Sequence, residues 1–207
     1  MKSTIYEFAV IGAGLTGSAA AKYLSKKYKN VVLIGPDEPK DKQNHDGIYG
    51  SHYDEGRITR VSDSYFGWSY LADKSIENYH DIQKESGIEF YNEVGTLSIG
   101  TQEYYNELIS TYSKVPFDYS NHEDFNLNEN LSKFNFPENS KFIFEQNNAG
   151  HVSPRKLVNA QKQIFINHNG NYVDDYVISI KKSSNTFNIQ TKTNLDIKSN
   201  KILICAS

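Results

Sequence analysis

Cysteine, methionine and tryptophan occur once each in the 207 residues, and proline five times. A single cysteine excludes an internal disulfide framework and a thiolate metal cluster. Cys205 itself stands in the apolar run 202–206, where an inert buried thiol is expected. Long hydrophobic runs are missing too: nothing approaches the roughly 18 apolar residues of a membrane helix. Charge of one sign is equally scarce. A formal net charge of −3 gives no electrostatic case for nucleic acid or an anionic membrane surface. The six histidines show no metal-ligand spacing, and there is no internal repeat. The expectation is a soluble intracellular protein that uses no nucleic acid, membrane or metal.

What is present is enough apolar material for a core, 38% hydrophobic and 13% aromatic, and one concentrated motif. Tyr6 to Ile11 reads as a short apolar strand. Gly12, Gly14 and Gly17 follow at the Gly-x-Gly-x-x-Gly spacing, and Ser18 to Lys27 is alanine-rich and helical. Motif and context together describe a βα turn built to hold a pyrophosphate. Gly12 permits the tight turn, Gly14 lets the backbone approach the phosphates, and Gly17 lets the helix lie close on the strand. Ala13, Leu15 and Thr16 complete the turn, and the helix amino terminus offers N–H groups and its dipole to the anion. A second strand, Asn30 to Ile34, completes the βαβ unit. Lys2 before an apolar stretch and Ala19-Ala20-Ala21 imitate a signal peptide, but Glu7 and the glycines interrupt it.

One expected residue is missing. A carboxylate for the ribose hydroxyls normally stands about 20 residues past the glycines; here that slot is Gly35, followed by Pro36-Asp37-Glu38-Pro39. Asp37 or Glu38 is the nearest substitute for ribose binding, against the plainer reading of both as solvated turn residues. Nothing basic sits there to take a 2′-phosphate, so NADP is not favoured.

Lys40 to Ser64 is long, polar and irregular, with Gly47, Gly50 and Gly56. Such a loop inside a compact domain is usually functional. Arg57 and Arg60, three apart, share a face if the segment turns helically, and an arginine fork suits a carboxylate or phosphate. The competing reading is a surface ion-pair turn with Asp54 and Glu55.

Gly50-Ser51-His52-Tyr53-Asp54-Glu55-Gly56-Arg57-Ile58-Thr59-Arg60, taken with the opening glycine motif, resembles the FAD-dependent amine oxidases of the monomeric sarcosine oxidase type, within the D-amino-acid oxidase superfamily. Glu93 to Gly100 is similar to that family's strand entering the substrate domain, and Gly150 to Leu157 to the segment returning to the FAD domain. The resemblance runs in colinear order along essentially the whole chain. It implies an α/β fold: a Rossmann-type FAD-binding domain, a parallel sheet with antiparallel crossover strands, at 1–88 and 146–207. A smaller α+β substrate domain is represented in part by 89–145.

The resemblance also implies site roles. Arg57 packs by the flavin, Arg60 reaches the carboxylate of an amine or amino-acid substrate, Ser51 and His52 lie along the cofactor, and Val173 is a backbone contact near the adenine. The implied reaction is FAD-dependent oxidation of the C–N bond of an amino acid or N-methyl amino acid with O₂ as acceptor. The lysine used in oxygen activation and the cysteine that tethers the flavin in sarcosine oxidases belong to a later half of the family's chain. The expectation is therefore an amino-terminal portion of such an enzyme. A non-catalytic module binding the ADP moiety is the alternative, and an NAD-dependent dehydrogenase a third reading.

Among the remaining elements, Tyr65 to Glu85 is expected as one amphipathic helix with Trp68, Leu71, Ala72, Ile76, Tyr79 and Ile82 on a core face. Gln102 to Ser113 reads as a helix and Phe142 to Phe144 as a strand. Ser153-Pro154 starts a helix with a capping serine and a proline at its first position. Val177 to Lys181 and Phe187 to Thr193 alternate as the crossover strands, and Lys201 to Cys205 is a buried-type returning strand.

Overall fold

Strand β1 (Ile5–Ile11), helix α1 (Leu15–Ser25) and strand β2 (Val31–Ile34) form the expected βαβ start in the computed structural model, which describes residues 5–41, 43–44, 51–121 and 134–206. Gly47 and Gly50 lie outside the described residues. By its internal contacts the chain divides into two compact units, residues 1–55, 82–90 and 154–207, and residues 56–81 and 91–153.

The first unit is built on a six-stranded sheet. It adds β9 (Asn171–Val173), β10 (Val177–Ser183), β11 (Thr186–Thr191) and β12 (Asp196–Ile204) in the order β10-β11-β12-β1-β2-β9. The run β12-β1-β2-β9 is parallel, whereas β10, β11 and the start of β12 are antiparallel. Side chains alternate along the strands, so each face has its own cover. Ala9, Ile11, Val32 and Ile34 meet Ile189, Ile197 and Ile180 from the antiparallel strands. Val10, Val31 and Leu33 meet Ala21 of α1 and Phe165 of the helix α5 (Pro154–Asn167). Strands buried on both faces read as continuous apolar runs, which is why Ala9–Ile11 and Val31–Ile34 show no alternation.

The end of β12 departs from the buried expectation: Ile204 is 60% exposed. The pairing explains it. β11 bonds β12 only over 196–199, so from residue 200 onward β12 has β1 as its one neighbour.

One charged residue intrudes on this unit. Lys22 of α1 is only 3% exposed, and burial, followed by its neighbour Lys26, lowers its pKa to about 8. The unfolded chain, with its lysine near 10.5, binds more protons than the folded one between these values, so stability rises with pH there. Urea melts from about pH 8 to about pH 10 are expected to show that rise in the natural chain and to lose it in Lys22→Met.

The second unit holds two three-stranded sheets. β3 (Arg57–Thr59), β8 (Gly150–Val152) and β4 (Tyr91–Asn92) pair antiparallel in the order β3-β8-β4; β5 (Thr96–Gly100), β7 (Lys141–Glu145) and β6 (Ser120–Asn121) form the other, in the order β5-β7-β6. The pairing of Arg57–Thr59 with Gly150–Val152 ties residues 56–81 to this unit by contacts.

The helix expected over 65–85 is two, α2 (Phe66–Ile76) and α3 (Tyr79–Ser86). Asn78 ends the first: its side-chain amide takes the Lys74 carbonyl at 2.7 Å while its N–H turns to Ser75 at 3.1 Å. This is the local competition with the helix ladder that asparagine favours. Of the expected core face, Ile76 and Ile82 are buried, as is Ser69, whereas Trp68 and Leu71 are exposed, which corrects those two. Helix α4 (Gln102–Ile109) is shorter than expected and is capped by Thr101, whose hydroxyl accepts from Tyr104 N–H at 3.2 Å.

Candidate functional site

Each unit carries a cavity. In the first unit a cavity of about 480 Å³ is lined by Gly12 to Thr16, Pro36, Ser51, His52, Tyr53, Tyr176, Cys205 and Ala206. The glycines there perform three different tasks. Gly12 has φ +102°, and a β-carbon on it would lie 2.8 Å from the Cys205 carbonyl. At Gly17 a β-carbon would lie 1.7 Å from the Gly12 oxygen, so only glycine allows α1 to lie that close to β1. Gly14 differs from both: a β-carbon there meets only the His52 ring, at 3.4 Å, and would otherwise occupy the cavity.

The turn leaves the start of α1 ready for an anion. Gly14 offers no side-chain cap, no acidic residue stands in the first turn, and Ser18 spends its hydroxyl on the Gly14 carbonyl at 2.8 Å. The first N–H groups of a helix have no partner inside it. A dinucleotide pyrophosphate satisfies both the N–H groups and the dipole. The residues present thus fit such a group, on the strength of a cradle that any side chain at 14 would fill.

The expected Gly12, Ala13, Gly14, Leu15, Thr16, Ser51 and His52 are therefore brought to one cavity, while Gly17 acts behind it as a packing residue. Asp37 and Val173 are not among its lining residues. The Asp37 carboxylate is held by Lys162 at 3.1 Å, and the Val173 carbonyl accepts from Gly35 N–H at 3.1 Å. The absence of a carboxylate at position 35 has a steric reason: a β-carbon there would lie 2.5 Å from the Ala13 nitrogen. Cys205 is half-buried at the cavity and not sealed in a strand, and burial pushes its thiol up, which keeps it protonated.

Two further residues, not singled out by the sequence, hold this cavity together. Arg155, at the start of α5, lies 2.7 Å from Glu38, pairs with Glu55 and donates to the Tyr53 carbonyl. It thereby pins the segment carrying Ser51 to Tyr53. Its only sequence signal was opposite charge, which many surface residues share. Asp175 accepts from Tyr176 N–H at 2.7 Å and from Thr193, and hydrogen bonds from Thr191 and Thr193 hold its pKa at about 2. The turn that presents Tyr176 is fixed by that carboxylate.

In the second unit a cavity of about 590 Å³ is lined by Ile58, Thr59, Arg60, Ser62, Asp63, Trp68, Leu71, Ala72, Ser75 and Tyr79. Arg60 donates through Nε to the Ser62 carbonyl at 2.9 Å and through one terminal nitrogen to Ser98 Oγ at 3.1 Å. Both acceptors are uncharged, and among the described residues no carboxylate forms an ion pair with Arg60. The Ser62 backbone is itself clamped. Glu145, 1% exposed on β7, accepts from Val61 N–H at 3.0 Å, from Ser62 N–H at 3.1 Å and from the Ser62 hydroxyl. A buried carboxylate thus sets the turn that sets Arg60. Tyr79 joins from α3, and burial pushes its phenol up, keeping it neutral.

The paired arginines are separated here. Arg57 sits on strand β3, opposite Val152, is exposed, and is not among the lining residues. Arg57 lies on β3 and Arg60 just past its end, so the two are not on one helical turn, and the shared face expected for such a turn is corrected. Glu55 pairs with Arg155. Among the described residues no group of histidine, cysteine and carboxylate side chains could hold a metal ion, and no helix is long and apolar enough to cross a membrane.

Residues 7–207 match the protein family described as DAO: FAD dependent oxidoreductase. The monomeric sarcosine oxidase of Arthrobacter sp. (strain TE1826) is 27% identical over 164 residues, covering 77% of this chain and 40% of that enzyme. That of Bacillus sp. (strain NS-129) is 24% identical over 171 residues, covering 80% and 42%. The chain spans about 40% of the length of these relatives. Among solved structures, L-proline dehydrogenase from P. horikoshii is similar with a TM-score of 0.75 at 16% identity, over 99% of this chain and 54% of that one. Glycine oxidase from Bacillus cereus gives a TM-score of 0.72 at 18% identity, over 96% and 54%. At these identities the structures speak for a shared fold.

Proposed function

The chain belongs to the DAO family of FAD dependent oxidoreductases, and from that premise we propose that it is the cofactor-binding portion, with part of the substrate-binding portion, of an enzyme oxidising an amine that carries a carboxylate. The observation that supports this reading is Arg60: a guanidinium in a cavity, held in place by uncharged oxygens and in no ion pair among the described residues. A module that only binds the ADP moiety has no evident use for it.

In this reading the turn Gly12 to Thr16 holds the pyrophosphate of FAD against the start of α1, and Ser51 and His52 flank the cofactor. Arg57 is assigned to the flavin region by resemblance. Bound FAD would supply the two-electron chemistry, accepting the hydride of the C–N carbon as the amine gives up its N–H proton to become an imine, with O₂ as the final acceptor of two electrons and two protons to give H₂O₂. The protein's own part is binding and orientation. Arg60 fixes the substrate carboxylate through the N–H groups not used on Ser62 and Ser98, part of a planar fork suited to that anion. Glu145 and Ser62 hold the guanidinium in advance, so little freedom is lost on binding.

The test has two parts. After incubation with FAD and desalting, the visible spectrum of the purified chain is expected to retain flavin bands, and Gly14→Val to abolish them. Anaerobic addition of secondary amines with a carboxylate is then expected to bleach the natural chain. Arg60→Gln should retain the flavin while bleaching at sub-saturating amine slows about 100-fold, the weight of a lost charged hydrogen-bond pair. Undiminished bleaching in Arg60→Gln would remove the arginine from the substrate site. Absence of flavin from the natural chain would remove the cofactor-binding reading.

A further inference from the structure

The cavity around Arg60 has a second half that carboxylate binding does not use. Ile58 is 72% exposed, Trp68 63% and Leu71 54%, and all three line it. Trp68 and Leu71 lie three apart on α2, one helical turn. Large apolar side chains left open on one concave surface mark a binding site more often than scattered exposure does. Opposite in charge to Arg60, Asp63 stands on the same cavity, with one carboxylate oxygen accepting from Tyr65 N–H at 2.9 Å. Cation, anion and apolar wall are thus gathered within about 590 Å³, inside the range of small-molecule pockets.

We propose that this cavity selects amino acids with a bulky apolar side chain, with Arg60 on the carboxylate, Asp63 accepting from the amine N–H, and Trp68, Leu71 and Ile58 against the side chain. The inference rests on the substrate reading of Arg60 given above and adds the substrate class to it. A substrate as small as glycine or sarcosine engages the charged pair and leaves the apolar wall in water. A substrate with an aryl or branched alkyl group covers it, and the area removed from water corresponds to about tenfold or more in affinity.

Trp68 is the one tryptophan of the chain, so the site carries its own reporter. The experiment is a titration of indole fluorescence in the purified chain with 3-phenylpropionate, propionate and 3-phenylpropanamide, none of which can be oxidised as an amine. The expected result is a blue shift with 3-phenylpropionate at a Kd at least about tenfold below that of propionate, with the neutral amide weaker than the acid. Leu71→Ser, a neutral change at an exposed position, removes apolar wall without adding charge and should weaken 3-phenylpropionate severalfold more than it weakens propionate. Arg60→Gln should weaken both acids alike.

The failures are distinguishable. Equal affinity for the two acids, abolished in both by Arg60→Gln, overturns the apolar selectivity and leaves the carboxylate reading standing. Equal affinity for acid and amide overturns the carboxylate reading, and this inference with it. No response to any probe in a chain that retains flavin overturns both.

Discussion

Replacing Gly17 with alanine is expected to cost about 3 kcal/mol or more of stability and to abolish flavin retention. Two effects oppose each other at this position. Alanine is the better helix former by about 1 kcal/mol, and Gly17 lies inside α1. Against that, the added methyl would sit 1.7 Å from the Gly12 carbonyl oxygen and 3.3 Å from the Cys205 side chain. The oxygen belongs to backbone, so relief requires α1 to move off the turn, which opens the cradle formed by Gly12 to Thr16. Urea denaturation measures the first loss and the visible spectrum after desalting the second. Gly56→Ala is the control, since a β-carbon there meets nothing within 4 Å; it should change stability by less than about 0.5 kcal/mol. If the two variants unfold at the same urea concentration, the close helix–strand contact does not exist.

Truncation of Glu145 to alanine should be nearly as damaging, on the order of 4 kcal/mol, for a different reason. Its carboxylate serves Val61 N–H, Ser62 N–H and the Ser62 hydroxyl at a buried position. Removing the acceptor leaves three donors desolvated with no partner, each costing about 1–3 kcal/mol before relaxation. Glu145→Gln keeps an acceptor oxygen and the shape, and should cost less than half as much. The turn at 61–62 also carries the carbonyl that receives Arg60 Nε at 2.9 Å. Glu145→Gln should therefore weaken carboxylate binding measured by Trp68 fluorescence even where the unit stays folded. A stable variant with unaltered carboxylate affinity would show that Glu145 does not position Arg60.

Much of the first unit was legible because it is local. The glycine spacing between an apolar strand and an alanine-rich helix is written in consecutive residues, and Gly12 and Gly17 are forced by close contacts with the turn itself and with the end of the neighbouring strand, whereas Gly14 borders the cavity. The start of α5 at Pro154 and the hairpin of β10 and β11 were legible for the same reason. The arginine pair was half legible. Sequence spacing proposes a shared face only if the backbone is helical, and pairing of β3 with β8 made it extended instead. The helix over 65–85 failed at Asn78, where one side-chain hydrogen bond outweighs a continuous apolar periodicity.

By itself the sequence determined the glycine turn of the βαβ start, most of the elements of the first unit and the family to which the chain belongs. These follow from backbone requirements and periodicities that act over a few residues, which a linear pattern records. The tertiary structure alone decided that Glu145 reaches 83 residues back to clamp Ser62, that Arg155 reaches 100 residues back to Glu55, and that Trp68 and Leu71 face a cavity. Long-range hydrogen bonds and the facing of a helix depend on which surfaces meet after folding, and no short-range pattern in the chain carries that information.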